Sequence, residues 1–378
     1  MVASSQSLSG SPCPKNILQI DRPFDLIRGG QLSRVEIAYE CWGKLSANKD
    51  NAVLLFTGLS PSAHAAASPE DSRKGWWEFI IGPGKPIDTR QFFVICVNSL
   101  GSCFGSTGPA SINPATGYPY RLDFPELAIE DIATSGREVY RSMGIEQLHS
   151  VIGPSLGGMS AIALAVMFPG EVKRLVSISA ATHATTFAIA IRSLQREIIR
   201  SDARWDNGNY DFNNPPTEGI RLARKLGLIS YRSAEEFTQR FGRNKILKTE
   251  AQNTAFAAEF CVESYLQYNA ESFVDKFDTN CYLYLSRALD WFDLADHGKD
   301  CHTALGELKT VDNLIIGVES DLLFPIDQQR EIANSLQKNG LRTQFYNIPS
   351  IEGHDAFLID EERFAPVIKE FFNTSTTK

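Results

Sequence analysis

Short apolar runs recur along the chain and alternate with stretches of helical character. The apolar runs lie at 52–56, 92–97, 149–152, 175–178, 314–318 and 343–348. Strands that alternate with helices in this way form mainly parallel sheets that helices cover on both faces. The pattern therefore predicts an α/β fold with a mostly parallel central sheet.

The alternation stops between residues 179 and 312. This stretch contains charged segments of helical character at 189–200, 217–225 and 233–240, and a loop signal at 207–216. Its place between two groups of strands predicts a helical insertion that covers the sheet edge as a lid. We therefore divide the chain into a first core part at 1–182, a lid at 183–305 and a second core part at 306–378.

Size and charge restrict the classes of function. The chain has 378 residues, of which 43% are hydrophobic, so it can bury a large core. A formal net charge of −8, with no run rich in lysine and arginine, argues against a nucleic-acid partner. No apolar run reaches the roughly 18 residues that a membrane-spanning helix needs. We expect small-molecule substrates, with no nucleic acid and no membrane among the partners.

The cysteines and the first residues of the chain indicate where the protein works. Seven cysteines occur without a C-x-x-C pair and without histidines at metal-ligand spacing, which predicts a reducing compartment and no metal site. Residues 1–30 mix basic and acidic side chains and contain no uninterrupted apolar core, so we expect neither a secretory signal nor a transit peptide. A cytoplasmic location follows as the expectation.

The candidate chemistry centres on residues 153–157, which read G-x-S-x-G. An apolar run ending at Ile152 precedes them and an apolar stretch at 159–168 follows, an order typical of a strand, a sharp turn and a helix. Such a turn projects the serine Oγ above the sheet edge, and its small glycines let the strand and the helix approach closely. This predicts Ser155 as a nucleophile, while the alternative is a glycine-rich helix start in which the serine is only an N-cap.

A nucleophilic serine needs a base and an orienting acid. In this architecture they follow in the order serine, acid, histidine, at the ends of later strands. Asp321 follows the run at 314–318, and His354 follows the run at 343–348. The remaining histidines precede the expected acid and are interpreted as surface or core residues: His64, His149, His183, His297 and His302.

The three residues together predict acyl transfer through an acyl-serine intermediate. His354 would take the proton of Ser155, and Asp321 would orient the imidazole. The backbone N–H of Leu156 and a second N–H at or near Phe56 are the predicted donors to the oxyanion.

Several further segments resemble the homoserine O-acyltransferase family of the α/β-hydrolase fold. They lie at 58–66, 98–103, 105–114, 153–159, 223–226, 230–233 and 353–357. The resemblance runs from about Phe24 to Phe372. Within the family, the segments at 57–64, 191–197, 280–287 and 290–293 are most similar to the serine O-succinyltransferase branch.

The resemblance implies that the acyl donor is a coenzyme A thioester, which acts as a co-substrate, and that the acceptor is the hydroxyl of an amino acid. It also implies that no cofactor is required. It implies that Arg224 pairs with the acceptor carboxylate, which suits a planar guanidinium, and that Asp355 holds the α-ammonium. From the residues alone, Arg224 could instead form a salt bridge within the lid to Glu218. The acceptor pocket is expected to be shaped by the turn after the first predicted strand, which consists of Gly58, Leu59, Ser60 and Pro61.

The choice of donor depends on charge. A succinyl group brings a carboxylate that an acetyl group lacks, and burying that carboxylate unpaired would be costly. Arg192 is the predicted cation, and Arg196 is the second candidate. The alternative is that both arginines are solvated residues of the lid.

Serine O-succinylation that feeds cysteine biosynthesis is the activity that the resemblance favours. The alternatives are homoserine O-acetylation or O-succinylation in methionine biosynthesis, serine O-acetylation, an esterase or thioesterase, and a non-catalytic binding protein. The resemblance also implies a homodimer in which lid helices pack together.

Overall fold

The computed structural model describes residues 16–246 and 255–374. Cys13 lies outside the described residues, and the other six cysteines form no disulfide among them. Across the described ranges, no helix combines the length and the apolarity that crossing a bilayer requires.

An eight-stranded sheet forms the centre of the fold, in the order β1-β4-β8-β5-β9-β10-β11-β12. Neighbours from β8 to β12 run parallel, whereas β4 is antiparallel to both β1 and β8. The strands of this sheet are β1 Asn16–Ile20, β4 Val35–Trp42, β5 Ala52–Phe56, β8 Phe93–Val97, β9 Ser150–Pro154, β10 Arg174–Ile178, β11 Asp312–Val318 and β12 Thr343–Ile348. Two small ribbons pair β2 Phe24–Asp25 with β3 Gln31–Leu32, and β6 Ile81–Gly82 with β7 Ile87–Asp88.

The six predicted strands are all present, and they form the parallel part of the sheet. Each residue of β5, β9, β10 and β11 is buried, as expected for parallel strands covered on both faces. The alternation within β5 divides two apolar clusters: Leu54 and Phe56 face one, and Val53 and Leu55 face the other. The predicted α/β architecture is therefore confirmed.

Helices cover both faces of the sheet. The helices are α1 Ile129–Ser142, α2 Leu156–Met167, α3 Thr186–Ser201, α4 Thr217–Tyr231, α5 Ala234–Phe241, α6 Cys261–Val274, α7 Thr279–Trp291, α8 Cys301–Gly306, α9 Ile326–Lys338, α10 Ala356–Ile359 and α11 Glu361–Asn373. Short 3-10 turns lie at Arg121–Asp123, Ala203–Gly208, Leu294–His297 and Gly353–Asp355. The three helices predicted in the interrupted stretch are present as α3, α4 and α5.

The topology brings the candidate residues to one edge of the sheet. Because β9, β11 and β12 run parallel, their carboxyl ends lie at the same edge. Ser155, Asp321 and His354 each follow one of these ends, and the helices from α3 to α8 enter the chain between β10 and β11. Helical segments distant in sequence can therefore contact the same edge.

Candidate active site

Ser155 occupies a strained turn between β9 and α2. Its φ of 56° and ψ of −123° lie in a region that residues other than glycine rarely adopt. A Cβ atom on Gly153 would lie 2.1 Å from the carbonyl oxygen of Gly157, and one on Gly157 would lie 2.4 Å from that of Phe56. The two glycines of the motif are therefore required for the close approach of strand and helix.

The side chain of Ser155 does not cap α2, which rules out the N-cap alternative. Its Oγ lies 2.8 Å from Nε2 of His354, and Nδ1 of His354 lies 2.6 Å from Oδ2 of Asp321. The other oxygen of Asp321 accepts hydrogen bonds from the N–H groups of Leu323 and Phe324, both at 2.9 Å. The structure thus brings the three predicted residues into one buried hydrogen-bonded chain.

Charges around His354 favour its protonated form. Burial is the largest influence and lowers the pKa of His354, but the carboxylates of Asp321 and Asp355 together outweigh it, so the pKa is raised. Arg192 acts in the opposite direction. Its guanidinium is therefore close enough for its charge to act on the imidazole of His354.

Aromatic rings hold the imidazole in place. The ring of Phe324 stacks on that of His354 with a centroid distance of 5.0 Å, and the ring of Phe357 meets it edge-on at 5.5 Å. The ring of Tyr231, from the end of α4, lies on a third side at 6.1 Å. Within this packing, His354 is only 6% exposed.

The predicted oxyanion donors lie beside the serine. Leu156 is the first residue of α2, where an N–H has no acceptor within the helix. Phe56 ends β5, its ring packs against α1 at Gly136, and its carbonyl lies against Gly157. The turn that follows is adjacent, because a methyl group on Gly58 would lie 3.9 Å from the carbonyl of Pro154. The roles of Leu156, Phe56 and residues 58–61 stay predictions.

Arg192 and Arg196 share one carboxylate. Nε of Arg192 lies 2.5 Å from Oδ1 of Asp290, and a terminal nitrogen of Arg196 lies 2.6 Å from Oδ2. The two arginines are only 6% and 8% exposed, so the alternative of solvated lid residues is wrong. Arg196 also donates to the hydroxyl and the carbonyl of Ser286, whereas Arg192 uses only its Nε within the described part of the chain. Arg192 is thus the more available of the two.

Arg224 does not form the salt bridge weighed as its alternative. Glu218 pairs with Arg221 instead. The guanidinium of Arg224 lies over the ring of Phe273, 4.5 Å from its centroid, and its buried Nε has no hydrogen-bond partner among residues 16–246 and 255–374. A buried donor without a partner on a half-buried guanidinium is suited to an anionic ligand.

Asp355 is less free than the sequence suggested. Its carboxylate lies 3.3 Å from Nε of Arg232, and a terminal nitrogen of the same arginine lies 2.6 Å from the carboxylate of Glu352. Gly353 makes this approach possible, because at its φ of 69° a Cβ atom would lie 2.5 Å from the carbonyl of Tyr231. Sequence reasoning missed Arg232, although it stands in one of the segments on which the family resemblance rests.

Tyr282 is a second residue that sequence reasoning missed. It is buried, and burial raises the pKa of its hydroxyl well above the ordinary value, with a further rise from Tyr231. Arg224 and Arg192 both act to lower this pKa. The hydroxyl therefore lies within electrostatic range of both arginines.

One group of possible metal ligands exists in the part of the chain that the structure describes. Ligand atoms of His183, Asp293 and Cys301 lie within 4.8 Å of one another, where the helical stretch begins and ends. No spacing in the sequence points to this group. The absence of a metal site stays a prediction.

Comparison with known proteins places these features in a family. A model described as alpha/beta hydrolase fold matches residues 51–361. A serine O-succinyltransferase of Litchfieldella anticariensis is 53% identical over 366 residues, covering 97% of this chain and 100% of that protein. One of Stenotrophomonas maltophilia is 53% identical over 352 residues, covering 93% and 95% of the two chains.

Two solved structures are similar over nearly the whole chain. A homoserine O-acetyltransferase from Bacillus anthracis superposes with a TM-score of 0.88 at 30% identity, covering 96% of this chain and 98% of that one. Esterase E22 superposes with a TM-score of 0.86 at 29% identity, covering 95% and 99%. The same framework therefore occurs in both acyl transfer and ester hydrolysis.

Proposed function

The chain belongs to the alpha/beta hydrolase fold family, and we propose that it is a serine O-succinyltransferase that moves a succinyl group from succinyl-CoA to the hydroxyl of L-serine. The single observation that carries this proposal is the pair of guanidiniums near the triad: that of Arg224 lies 5.4 Å from the ring centroid of Tyr231, which lies 6.1 Å from that of His354, and that of Arg192 lowers the pKa of His354. The reaction has two substrates that each carry a free carboxylate. Hydrolysis of a simple ester needs neither cation.

The first half of the reaction forms an acyl-enzyme. Ser155 Oγ attacks the thioester carbonyl carbon while Nε2 of His354 takes the hydroxyl proton. Asp321 keeps Nδ1 protonated and stabilises the imidazolium. The N–H groups at Leu156 and Phe56 are the proposed donors to the oxyanion. The carbon–sulfur bond then breaks, and the departing thiolate takes the proton from His354 to give free CoA.

The second half transfers the acyl group to serine. His354 takes the proton of the amino-acid hydroxyl, whose oxygen attacks the acyl-enzyme carbonyl. The bond to Ser155 breaks, and the proton returns to its oxygen, so that O-succinyl-L-serine leaves. We assign the acceptor carboxylate to Arg224 and its α-ammonium to Asp355, while residues 58–61 shape the acceptor pocket. The ester makes the serine oxygen a better leaving group, which is what later sulfur incorporation into cysteine requires.

Charge supports Arg192 as the partner of the succinyl carboxylate. Two buried guanidiniums share the single carboxylate of Asp290, so the cluster retains one positive charge. A buried cation without full compensation favours binding of a second anion. Acetyl-CoA offers no such anion.

Homoserine O-acyltransfer is the second candidate function, because the homoserine O-acetyltransferase from Bacillus anthracis has nearly the same fold. Homoserine is one methylene longer than serine, and a single methylene is worth only about 1–3 kcal/mol in a pocket. The acceptor preference therefore depends on the exact depth of the pocket near Gly58.

Several further properties accompany the proposal. No cofactor is needed, because the triad and the thioester supply all the chemistry. Residues 183–305 act as a lid over a core of residues 1–182 and 306–378. A homodimer is supported by exposed apolar side chains on the lid helices, among them Leu222, Ile229 and Tyr268. The CoA substrate favours a cytoplasmic location.

The test is CoA release by the purified protein in a two-by-two grid of succinyl-CoA or acetyl-CoA against L-serine or L-homoserine, with controls lacking the acceptor. The proposal expects the highest kcat/KM for succinyl-CoA with serine and O-succinyl-L-serine as the product. CoA release that does not depend on an amino acid would instead identify a thioesterase. Preference for acetyl-CoA with homoserine would refute the assigned donor and acceptor while leaving the triad intact.

A further inference from the structure

A buried histidine lies shortly after the turn at 58–61, to which we assign the acceptor pocket. The side chain of His64 is 5% exposed, and that of Glu40, on β4, is 2% exposed. Nδ1 of His64 lies 3.0 Å from Oε2 of Glu40, and its Nε2 lies 2.9 Å from the carbonyl oxygen of Arg73. The histidine thus joins a strand of the central sheet to the loop that follows the turn.

Both partners of this imidazole are hydrogen-bond acceptors. A carbonyl oxygen only accepts, so Nε2 of His64 must carry a hydrogen atom. In a neutral ring, Nδ1 would then turn its lone pair towards the ionised carboxylate of Glu40. Asp71, whose carboxylate lies 3.8 Å from Nδ1, pairs with Arg73 at 2.6 Å and does not supply the missing donor. The two hydrogen bonds therefore require one further proton, held between Nδ1 and Glu40.

Glu40 depends on the same proton. Among residues 16–246 and 255–374 it forms an ion pair with His64 alone. A carboxylate that is buried and ionised without a positively charged partner is costly. His64 and Glu40 therefore stabilise each other as a pair with one fixed geometry.

Two more hydrogen bonds fix the residues between the turn at 58–61 and the histidine. Nε1 of Trp76 donates to the carbonyl of Ser62 at 2.9 Å, and the N–H of Ala63 donates to Oδ1 of Asn98 at 2.6 Å. Three consecutive residues are thus attached to different parts of the fold. At its other end the turn follows β5, which is paired with both β8 and β9.

We propose that His64 is a positioning residue for the acceptor amino acid, because its hydrogen bonds to Glu40 and Arg73 hold the turn at 58–61 beside the acyl-enzyme. This inference rests on the proposed function, which assigns the acceptor pocket to that turn. No hydrogen bond within the described ranges joins His64 to a member of the triad. The histidine therefore acts through the turn and not on the reacting atoms.

The two halves of the reaction respond differently to this role. Phe56, the proposed second oxyanion donor, belongs to β5, which the sheet holds independently of His64. Acylation should therefore persist when the histidine is lost. Transfer to the acceptor should suffer, because a misplacement of about 1 Å in a reacting complex can cost about 100-fold in rate.

The experiment measures the two halves separately. In a ping-pong reaction, kcat/KM for succinyl-CoA reports acylation and kcat/KM for serine reports transfer to the acceptor. In His64→Leu the value for serine should fall by about tenfold or more, while the value for succinyl-CoA should stay within about threefold. His302→Leu is the matched control, because it makes the same substitution at an exposed histidine of α8, and both values should remain those of the wild type.

Two further variants separate positioning from stability. His64→Leu leaves Glu40 buried without its partner, whereas the double variant Glu40→Leu with His64→Leu removes both charges. Replacing a buried ion pair by apolar residues is often neutral for stability, so the double variant should unfold near the wild-type temperature and still show the loss for serine. Glu40→Gln should keep both values within about threefold of the wild type, because an amide N–H can donate to Nδ1 while Nε2–H stays on the carbonyl of Arg73.

The outcomes distinguish a positioning residue from a merely structural pair. A selective loss for serine in the leucine variants, restored in Glu40→Gln, supports the inference. An unchanged value for serine in the double variant, or an equal fall for serine and succinyl-CoA, would overturn it. A loss in Glu40→Gln as large as in the double variant would also overturn it, because the hydrogen bonds would then not be what matters.

Hydrogen exchange in the substrate-free protein separates this inference from the proposed function. Peptides that span residues 58–64 should exchange faster in the double variant than in the wild type and in Glu40→Gln. If the wild type transfers no acyl group to serine, the proposed function fails, and this faster exchange would still support His64 as the anchor of the turn. Exchange in the double variant at the wild-type rate would refute the anchor.

Discussion

Replacing Arg192 by leucine should convert a succinyl-selective enzyme into one that no longer distinguishes succinyl-CoA from acetyl-CoA. Arg192 is 6% exposed, and within the described ranges it uses only its Nε, on Asp290 at 2.5 Å. Its terminal nitrogens are therefore the donors available to the succinyl carboxylate. Leucine fills a similar volume near the backbone and offers no charge.

The magnitude follows from the burial of the pair. Truncating one partner of a buried, hydrogen-bonded charge pair costs about 2–5 kcal/mol. With a tenfold change for each ~1.4 kcal/mol, kcat/KM for succinyl-CoA should fall between about 30-fold and about 4,000-fold. Acetyl-CoA has no carboxylate to lose, so its kcat/KM should change by less than about threefold.

Arg196→Leu is the control for this experiment. It removes the other guanidinium from Asp290, and Arg196 lies 2.6 Å from that carboxylate, so the two variants disturb the same ion-paired group to a similar extent. The succinyl to acetyl ratio should collapse in Arg192→Leu and persist in Arg196→Leu. Thermal unfolding of both variants checks that each remains folded. Equal losses for both donors in Arg192→Leu would show that Arg192 is structural and would refute the reasoning.

Four further predictions concern the triad and the acceptor site. Asp321→Asn should lower kcat by roughly 10⁴-fold, because the asparagine cannot hold Nδ1 of His354 protonated. Steady-state kinetics at saturating substrates measure this loss. A loss below tenfold would contradict the role given to Asp321. The pKa of His354 is raised above the ordinary 6.5, so the imidazole loses its neutral, basic form at a pH above 6.5 as the pH falls. The rate of acylation should therefore begin to fall on the acid side at a pH above 6.5. In Asp355→Asn this fall should begin at a lower pH, because Asp355 raises that pKa; a fall at an unchanged pH would contradict the assignment. Arg224→Leu should raise the KM for serine by about 30-fold or more. The rate of acyl-enzyme formation, measured by stopped-flow CoA release, should stay unchanged. Slower acylation would contradict the assignment of Arg224 to the acceptor carboxylate.

Much of the fold could be predicted because the parallel strands are buried on both faces. The sequence of β5, AVLLF, is apolar at each position, and such a run stands out from the polar segments around it. The antiparallel strand β4 was missed, because its sequence VEIAYECW interleaves polar and apolar residues. Glu40 within it is buried and paired with His64, a contact that no local pattern reveals.

The triad could be predicted because each member follows a strand in a fixed order. The charged partners of the site could not, because they come from segments far apart in the sequence. Asp290 lies 98 residues from Arg192, and Glu352 lies 120 residues from Arg232. Only the packing of α3 against α7 shows which charges are compensated, and this decides that Arg192 rather than Arg196 is available.

The central claim is that Ser155 carries a succinyl group between two substrates. Intact-protein mass spectrometry after mixing with succinyl-CoA alone tests it most directly. The account predicts a mass increase of one succinyl group, located on Ser155 by peptide mapping, absent in Ser155→Ala, and discharged as O-succinyl-L-serine when L-serine is added. An unmodified Ser155, or an adduct that L-serine does not discharge faster than water, would contradict it.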